Sequence, residues 1–269
     1  SHHVIAPRRK VAYWHSPAKW LYSRATYKAA GSPLARATLA VTARGLERRD
    51  RAAVATIDRH LCNSTAVRDR LRQVYGIDAE IVFPPVHRPP DPATRPIGSP
   101  QAGFLLCVSR LIPYKNVGAI VGSMALLPKS HLVVVGSGPL DASLRRNASS
   151  NVTFLRGVDE PELSWLYANC SFVVAASHED FGLTPVEGAL YGRPAVVLGA
   201  GGYLDTVEDG VTGVFFEAPL AQCIAHAVVA AVRTGWDEHV IRRRAQLFSL
   251  DRFRERIERV VLEEAGTHD

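Results

Sequence analysis

The chain has 269 residues, 47% hydrophobic and 22% charged, a composition that supports a substantial core and either one large domain or two modest ones. A formal charge of +6 favours anionic partners, but only Arg48-Arg49 with Arg51 and Arg242 to Arg244 cluster, each read as a solvated helix face, so the concentrated patch of a nucleic-acid binder is missing. No apolar run reaches membrane-span length, no signal-peptide pattern opens the chain, and Cys62, Cys107, Cys170 and Cys223 lack metal or disulfide spacing, reading instead as buried thiols of a reducing compartment.

Residues 11–15 (VAYWH) predict a short strand ending at His15-Ser16-Pro17. Pro17 keeps Ser16 out of the helical region, so His15 falls at a strand exit. A lone histidine there is structural unless it faces a cleft. Residues 18–58 are helical in composition, broken at Gly31-Ser32-Pro33, where Ser32 suits an N-cap and Pro33 the first helical position. A strand over 60–64 leads to a helix capped by Ser64 and running to Tyr75, and a strand over 79–83 stops at Pro84-Pro85. Seven prolines between Pro84 and Pro100 make a stiff linker that carries the domain boundary. The expected division is 1–92, 93–250, and a last helix 251–269.

Beyond the linker, strands at 103–109, 131–135, 152–155, 171–176 and 195–198 alternate with helices near 115–127, 139–147, 160–169 and 185–190, and three closing helices follow at 219–234, 237–248 and 251–265. The strands are short and apolar without alternation, as parallel strands buried on both faces are. This predicts a doubly wound α/β domain, whose ligands gather at the carboxyl ends of the strands.

Four strand-end loops carry candidate chemistry. In Ser109-Arg110-Leu111-Ile112-Pro113-Tyr114-Lys115 the two cations can converge on a diphosphate; exposed loop cations are the other reading. Gly136-Ser137-Gly138-Pro139 lets a phosphate or sugar approach the backbone, or is a plain turn, and it lacks the third glycine of a dinucleotide fingerprint. In Ser177-His178-Glu179-Asp180-Phe181-Gly182-Leu183-Thr184-Pro185-Val186-Glu187, Thr184 reads as N-cap and Pro185 as first helical residue. That makes Glu187 the third position of a capping box, while Glu179 lies before the helix and has no capping explanation. Backbone N–H groups of Phe181, Gly182 and Leu183 suit an anion at the helix start. Gly199 to Gly202 reads as a flexible loop, with Asp205 behind it as a helix cap.

Taken together and in this order, these loops resemble the donor domain of a retaining glycosyltransferase of family 4, with the GT-B fold. Tyr13-Trp14-His15-Ser16-Pro17, Asn63-Ser64, Tyr75-Gly76 and Phe83-Pro84-Pro85-Val86 resemble the end of that family's first domain. The resemblance implies that Arg110 and Lys115 bind the donor diphosphate and that Glu179 holds the sugar hydroxyls. It further implies that Phe181, Gly182 and Leu183 offer backbone groups, that Glu187 binds the ribose, and that Gly136 and Gly138 line the donor. Arg156-Gly157-Val158 would border the base, and His15 would lie across the cleft near the reacting sugar. The implied reaction transfers a hexose, with the Glu-Asp-Phe-Gly variant pointing to mannose from GDP-mannose, to a glycan or lipid-linked acceptor, with no metal or other cofactor. Implied surroundings are the cytoplasm, with a possible peripheral membrane contact.

The chain departs from the family where roughly a hundred residues of the first domain are absent, which implies an N-terminally truncated enzyme. The alternative expectation is a non-catalytic nucleotide-sugar-binding fragment, or half of a split enzyme. Gly188 stands where the family has Ala, and Asp205 where Glu is common.

Overall fold

The computed structural model describes residues 9–22, 33–87 and 94–266. Ser32, and the expected boundary between 92 and 93 inside the linker, lie outside the described residues. The chain divides into two compact units, 1–84 with 251–269, and 85–250.

In the first unit, strands β1 (Val11–Trp14), β2 (Arg59–Cys62) and β3 (Glu80–Ile81) form a parallel sheet in the order β1-β2-β3. The connecting segments hold helices α1 (Lys19–Tyr22), α2 (Pro33–Val54) and α3 (Thr65–Tyr75). The start of α3 is set locally: Ser64 Oγ accepts the Val67 N–H at 3.1 Å, and Gly76 at φ 74° ends the helix. Val67 and Leu71 of α3 then bury against Trp14, Val54, Cys62 and Ala79. Arg48, Arg49 and Arg51 are exposed as expected, and the Arg51 guanidinium also lies over the rings of Tyr22 and Tyr75 at 6.0 and 5.9 Å.

The second unit is a six-stranded, all-parallel sheet. In chain order its elements are β4 (Phe104–Val108), α4 (Val117–Ser123), β5 (Leu132–Val135), α5 (Asp141–Arg146), β6 (Val152–Leu155), α6 (Glu160–Asn169), β7 (Cys170–Ala175), α7 (Leu183–Leu190), β8 (Ala195–Leu198), α8 (Tyr203–Thr206), β9 (Gly213–Phe216), α9 (Ala221–Arg233) and α10 (Glu238–Ala245). The order across the sheet is β6-β5-β4-β7-β8-β9. The chain therefore winds outward from β4 to β6, returns to β7 beside β4, and winds the other way. Every residue of β5 and β8 is buried, which is why these strands read as unbroken apolar runs. Each fully buried Val or Leu contributes about 1.5–3 kcal/mol, and the core of this unit runs through all six strands.

Several boundaries differ from the sequence expectation. The helix expected near 115–127 is broken into a 3-10 turn Pro113–Lys115, then α4, then a second turn Met124–Leu126. The break falls at Asn116, whose left-handed φ of 53° cannot continue a helix. The helix expected near 139–147 begins only at Asp141, with Pro139 in the preceding turn. β9 and α8 were not anticipated, since each has only four residues and no periodicity to mark it. The final helix, α11 (Leu250–Gly266), joins the first unit. Its Val260 is buried with Leu61 and Val82, Phe253 and Ile257 pack alongside, and Arg256 pairs with Glu80 at 2.6 Å.

Candidate functional site

The winding reverses between β4 and β7, so the loops leaving the carboxyl ends of these two strands stand at the switch point of the sheet. This switch point is where open α/β sheets bind ligands. Both loops with candidate cations and carboxylates leave from it.

After β4, Leu111 is fully buried and anchors the loop, while Arg110 stays exposed with its guanidinium donating to Tyr114 Oη at 2.9 Å. Lys115 follows at the end of the 3-10 turn, 5.3 Å from the Tyr114 ring centroid. The left-handed Asn116 then donates its Nδ2–H to the Ala176 carbonyl at 2.9 Å, tying this loop to the one after β7. Lys115 Nζ reaches across to Glu179 Oε1 at 2.5 Å, with the two side chains 17% and 21% exposed. The loops expected to supply cation and carboxylate are thus brought into direct contact.

Glu179 has a second partner. Ser177, itself buried, donates its hydroxyl to the same Oε1, and the buried Tyr203 hydroxyl lies 3.2 Å from Ser177 Oγ. Burial pushes the Tyr203 hydroxyl well above its ordinary pKa, so it remains a neutral O–H across the working range. The Gly202 N–H donates to the Glu179 carbonyl at 2.9 Å, which fixes the backbone of the carboxylate to the loop after β8. That loop is a structural partner of the Glu179 segment, and Asp205 is the third residue of α8 without a capping position.

The Gly136–Pro139 loop packs directly on the loop after β4. A Cβ on Gly136, at φ 147°, would stand 1.9 Å from the Ser109 carbonyl oxygen, and one on Gly138, at φ 157°, 2.5 Å from that of Leu111. Both glycines are required by this backbone approach, which lets the Leu111 N–H donate to the Ser137 carbonyl at 2.9 Å. Their first role here is to seat the loop that carries Arg110 and Lys115.

The helix start differs from the expected capping box. α7 begins at Leu183, its N-cap is Gly182 at φ 90°, and no side chain caps it. Thr184 lies inside the first turn, and Glu187 is too far along the helix to reach back. Its carboxylate instead accepts the Tyr167 hydroxyl of α6 at 2.5 Å. Burial raises the Glu187 pKa and the Tyr167 hydrogen bond opposes the rise, while burial drives the Tyr167 hydroxyl well above its ordinary value. Phe181 is buried against Phe248, so only its backbone is available to a ligand, and Leu183 is 47% exposed beside it.

The remaining expected residues are more dispersed. Arg156 and Gly157 are exposed at the end of β6, but the Arg156 guanidinium is paired with Asp141. Val158 is half-buried against the core. His15 stands in the first unit, exposed just past β1 with its ring edge-on to Tyr13. Sequence reasoning missed Ser177, Tyr203 and Tyr167. Ser177 stood two residues before Glu179 in the motif, while neither tyrosine carried a local signal. Among the described residues no cluster of His, Cys, Asp or Glu could hold a metal ion, and no helix is long and apolar enough to cross a membrane.

Comparison with known proteins agrees with this geometry. The family model of the glycosyl transferases group 1 matches residues 96–247, more than half of the chain. Among curated relatives, the chain is 33% identical over 101 residues to the alpha-1,3/1,6-mannosyltransferase ALG2 of Dictyostelium discoideum, covering 32% of this chain and 24% of that protein. It is 31% identical over 198 residues to the glycogen synthase of Thermus thermophilus, covering 65% and 45%. Among solved structures it superposes on Anabaena HepE in complex with UDP and glucose with a TM-score of 0.71 at 19% identity, covering 94% of this chain and 71% of that one. The chain thus spans less than half the length of the curated relatives it matches. With a six-stranded parallel sheet, a Lys115–Glu179 pair at its switch point and a matching family model, the chain belongs to the glycosyl transferases group 1, glycosyltransferases of the GT-B fold.

Proposed function

We propose that this protein transfers mannose, with retention of configuration, from GDP-mannose to a glycan or lipid-linked acceptor. The observation that carries the reading is the meeting of Lys115 and Glu179 at the switch point of the sheet. A nucleoside diphosphate hexose has two parts to be held, a dianionic bridge and a ring of hydroxyls, and this pair offers one group for each. On donor entry the Lys115 ammonium and the Arg110 guanidinium face the diphosphate, where they stabilise the charge that builds on the leaving nucleotide. Glu179 exchanges the lysine for sugar hydroxyls. The free N–H groups at the start of α7 add to the positive potential at the phosphates. Glu187 serves the ribose from the second turn of α7.

This chemistry needs no metal, because the cations and the helix start supply the charge stabilisation. The choice of mannose rests on the Glu179-Asp180-Phe181-Gly182 sequence and is supported by the likeness to a mannosyltransferase. The choice of acceptor rests on the family alone, and the net positive charge favours an anionic membrane surface as the place of work.

Calorimetric titration of GDP-mannose, UDP-glucose and ADP-glucose tests the reading. GDP-mannose is expected to bind best, and Glu179→Gln to weaken it about tenfold or more, the cost of a charge-assisted hydrogen bond. Absence of heat with all three ligands refutes donor binding, and a preference for a uridine or adenosine donor refutes the GDP assignment.

A further inference from the structure

We infer that Ser177 and Tyr203 are positioning residues that orient the Glu179 carboxylate so that one oxygen is held by the protein and the other is kept for the sugar. The inference rests on the donor-binding reading and adds a division of labour within that carboxylate. Ser177 Oγ and Lys115 Nζ both bond Oε1 of Glu179. Among the described residues Oε2 accepts no hydrogen bond, and the side chain is 21% exposed.

The direction of the chain of hydrogen bonds follows from proton counting. A carboxylate only accepts, so the single Ser177 proton goes to Glu179. The contact between Ser177 Oγ and Tyr203 Oη, 3.2 Å long and buried, must then run from the tyrosine to the serine. The Tyr203 ring packs over Gly182, and its α8 backbone is held by the loop after β8. The relay therefore ties Oε1 to the loop after β7 through Ser177 and to α8 through Tyr203. When the phosphates draw Lys115 away, Ser177 still holds Oε1, and Oε2 stays aimed at the hydroxyls.

Titration of GDP-mannose and GDP, with UDP-glucose and UDP as a second pair, into wild type, Ser177→Ala, Ser177→Thr and Tyr203→Phe tests this. Ser177→Ala is expected to weaken the sugar nucleotide about tenfold while leaving the nucleoside diphosphate within about twofold, because only the sugar uses Oε2. Ser177→Thr, which keeps the hydroxyl, restores most of the affinity. Tyr203→Phe, which keeps the ring, costs the sugar nucleotide about threefold.

Equal losses for sugar nucleotide and diphosphate, or no loss at an unchanged Tm, overturn the inference. If Ser177→Ala fails to fold, Tyr203→Phe decides alone, and an unchanged sugar-nucleotide affinity overturns it. Wild type that binds none of the four ligands overturns the donor reading and this inference with it. Wild-type binding that Ser177→Ala leaves untouched overturns this inference only.

Discussion

Gly188→Ala should destabilise the second unit, although the substitution improves helix propensity. Gly188 is buried in the interior of α7, where glycine costs about 0.5–1 kcal/mol relative to alanine. Taken alone, that term predicts a gain. Against it, a Cβ at this position would stand 2.5 Å from Cγ2 of Val173. Two carbons pack at about 3.5–4.0 Å, so one of them must move by about an ångström. Val173 is fully buried in β7, and its branched side chain has few alternative rotamers. Overpacking of this kind costs about 1–3 kcal/mol, which exceeds the propensity gain and leaves a net loss of about 1 kcal/mol. For a unit of this size that is a fall in Tm of roughly 2–4 °C. Thermal unfolding followed by circular dichroism measures it. In a Val173→Ala background the clash is gone, so adding Gly188→Ala should raise Tm, and the sign of the alanine effect should reverse between the two backgrounds. A Gly188→Ala protein more stable than wild type, or equal effects in both backgrounds, would refute the reasoning.

Gly138→Ala places a side chain at φ 157° with its Cβ 2.5 Å from the Leu111 carbonyl oxygen, and is expected to cost about 2 kcal/mol or more in urea unfolding; wild-type stability would show that the two loops are not tightly seated on each other. For Glu187 the pKa lies above its ordinary 4.5 in the folded protein, so the folded state holds more protons than the unfolded chain from 4.5 upward, and stability falls as pH rises through the folded value. Glu187→Gln, whose amide oxygen still accepts the Tyr167 hydroxyl, should flatten that fall above pH 4.5 in a series of melting curves; parallel wild-type and variant curves would mean that burial does not perturb this carboxyl.

Local rules were legible where local forces decide. Ser64 caps α3 because its hydroxyl reaches an N–H three residues ahead, and nothing distant competes. The limits of β6, α6 and β8 follow from apolar runs bounded by turn or capping residues, and the Asp159–Glu162 capping box closes the start of α6 on both sides. The same rule applied to Thr184 failed. Thr-Pro-Val-Glu has the right residues, but Gly182 takes a left-handed conformation that only its lack of a Cβ makes easy, and α7 starts earlier. Glu187 is then claimed by Tyr167 from a neighbouring helix, a partner twenty positions away that no periodicity announces. Asn116 broke a helix for a similar reason, exchanging helical geometry for a hydrogen bond to Ala176 on another strand's loop. The site was legible as a set of loops because the topology delivers them to one edge. Its internal wiring was not, because Ser177, Tyr203 and Tyr167 act through contacts made only once the sheet is assembled.

The two glutamates of the motif show how one stretch of chain divides its work by depth. Glu187 lies on the buried side of α7, where an ionised carboxylate pays for lost water, and the Tyr167 hydroxyl only partly offsets that. Tyr167 is itself fully buried and has no route to solvent for its proton, so removing the carboxylate leaves an orphaned donor in the core. Glu187 is therefore coupled to the integrity of the unit whatever it does for a ligand. Glu179 sits before the helix, where its backbone is fixed by Gly202 and its Oε1 by Ser177, so releasing Lys115 leaves the carboxylate still held by a hydrogen bond and partly open to a new partner. A lysine that can leave without collapsing its partner can move between carboxylate and phosphate as a donor arrives. On that argument the Lys115–Glu179 pair is the part of the site free to respond to ligand, and the Tyr167–Glu187 pair is the part that holds α7 against α6 while it does.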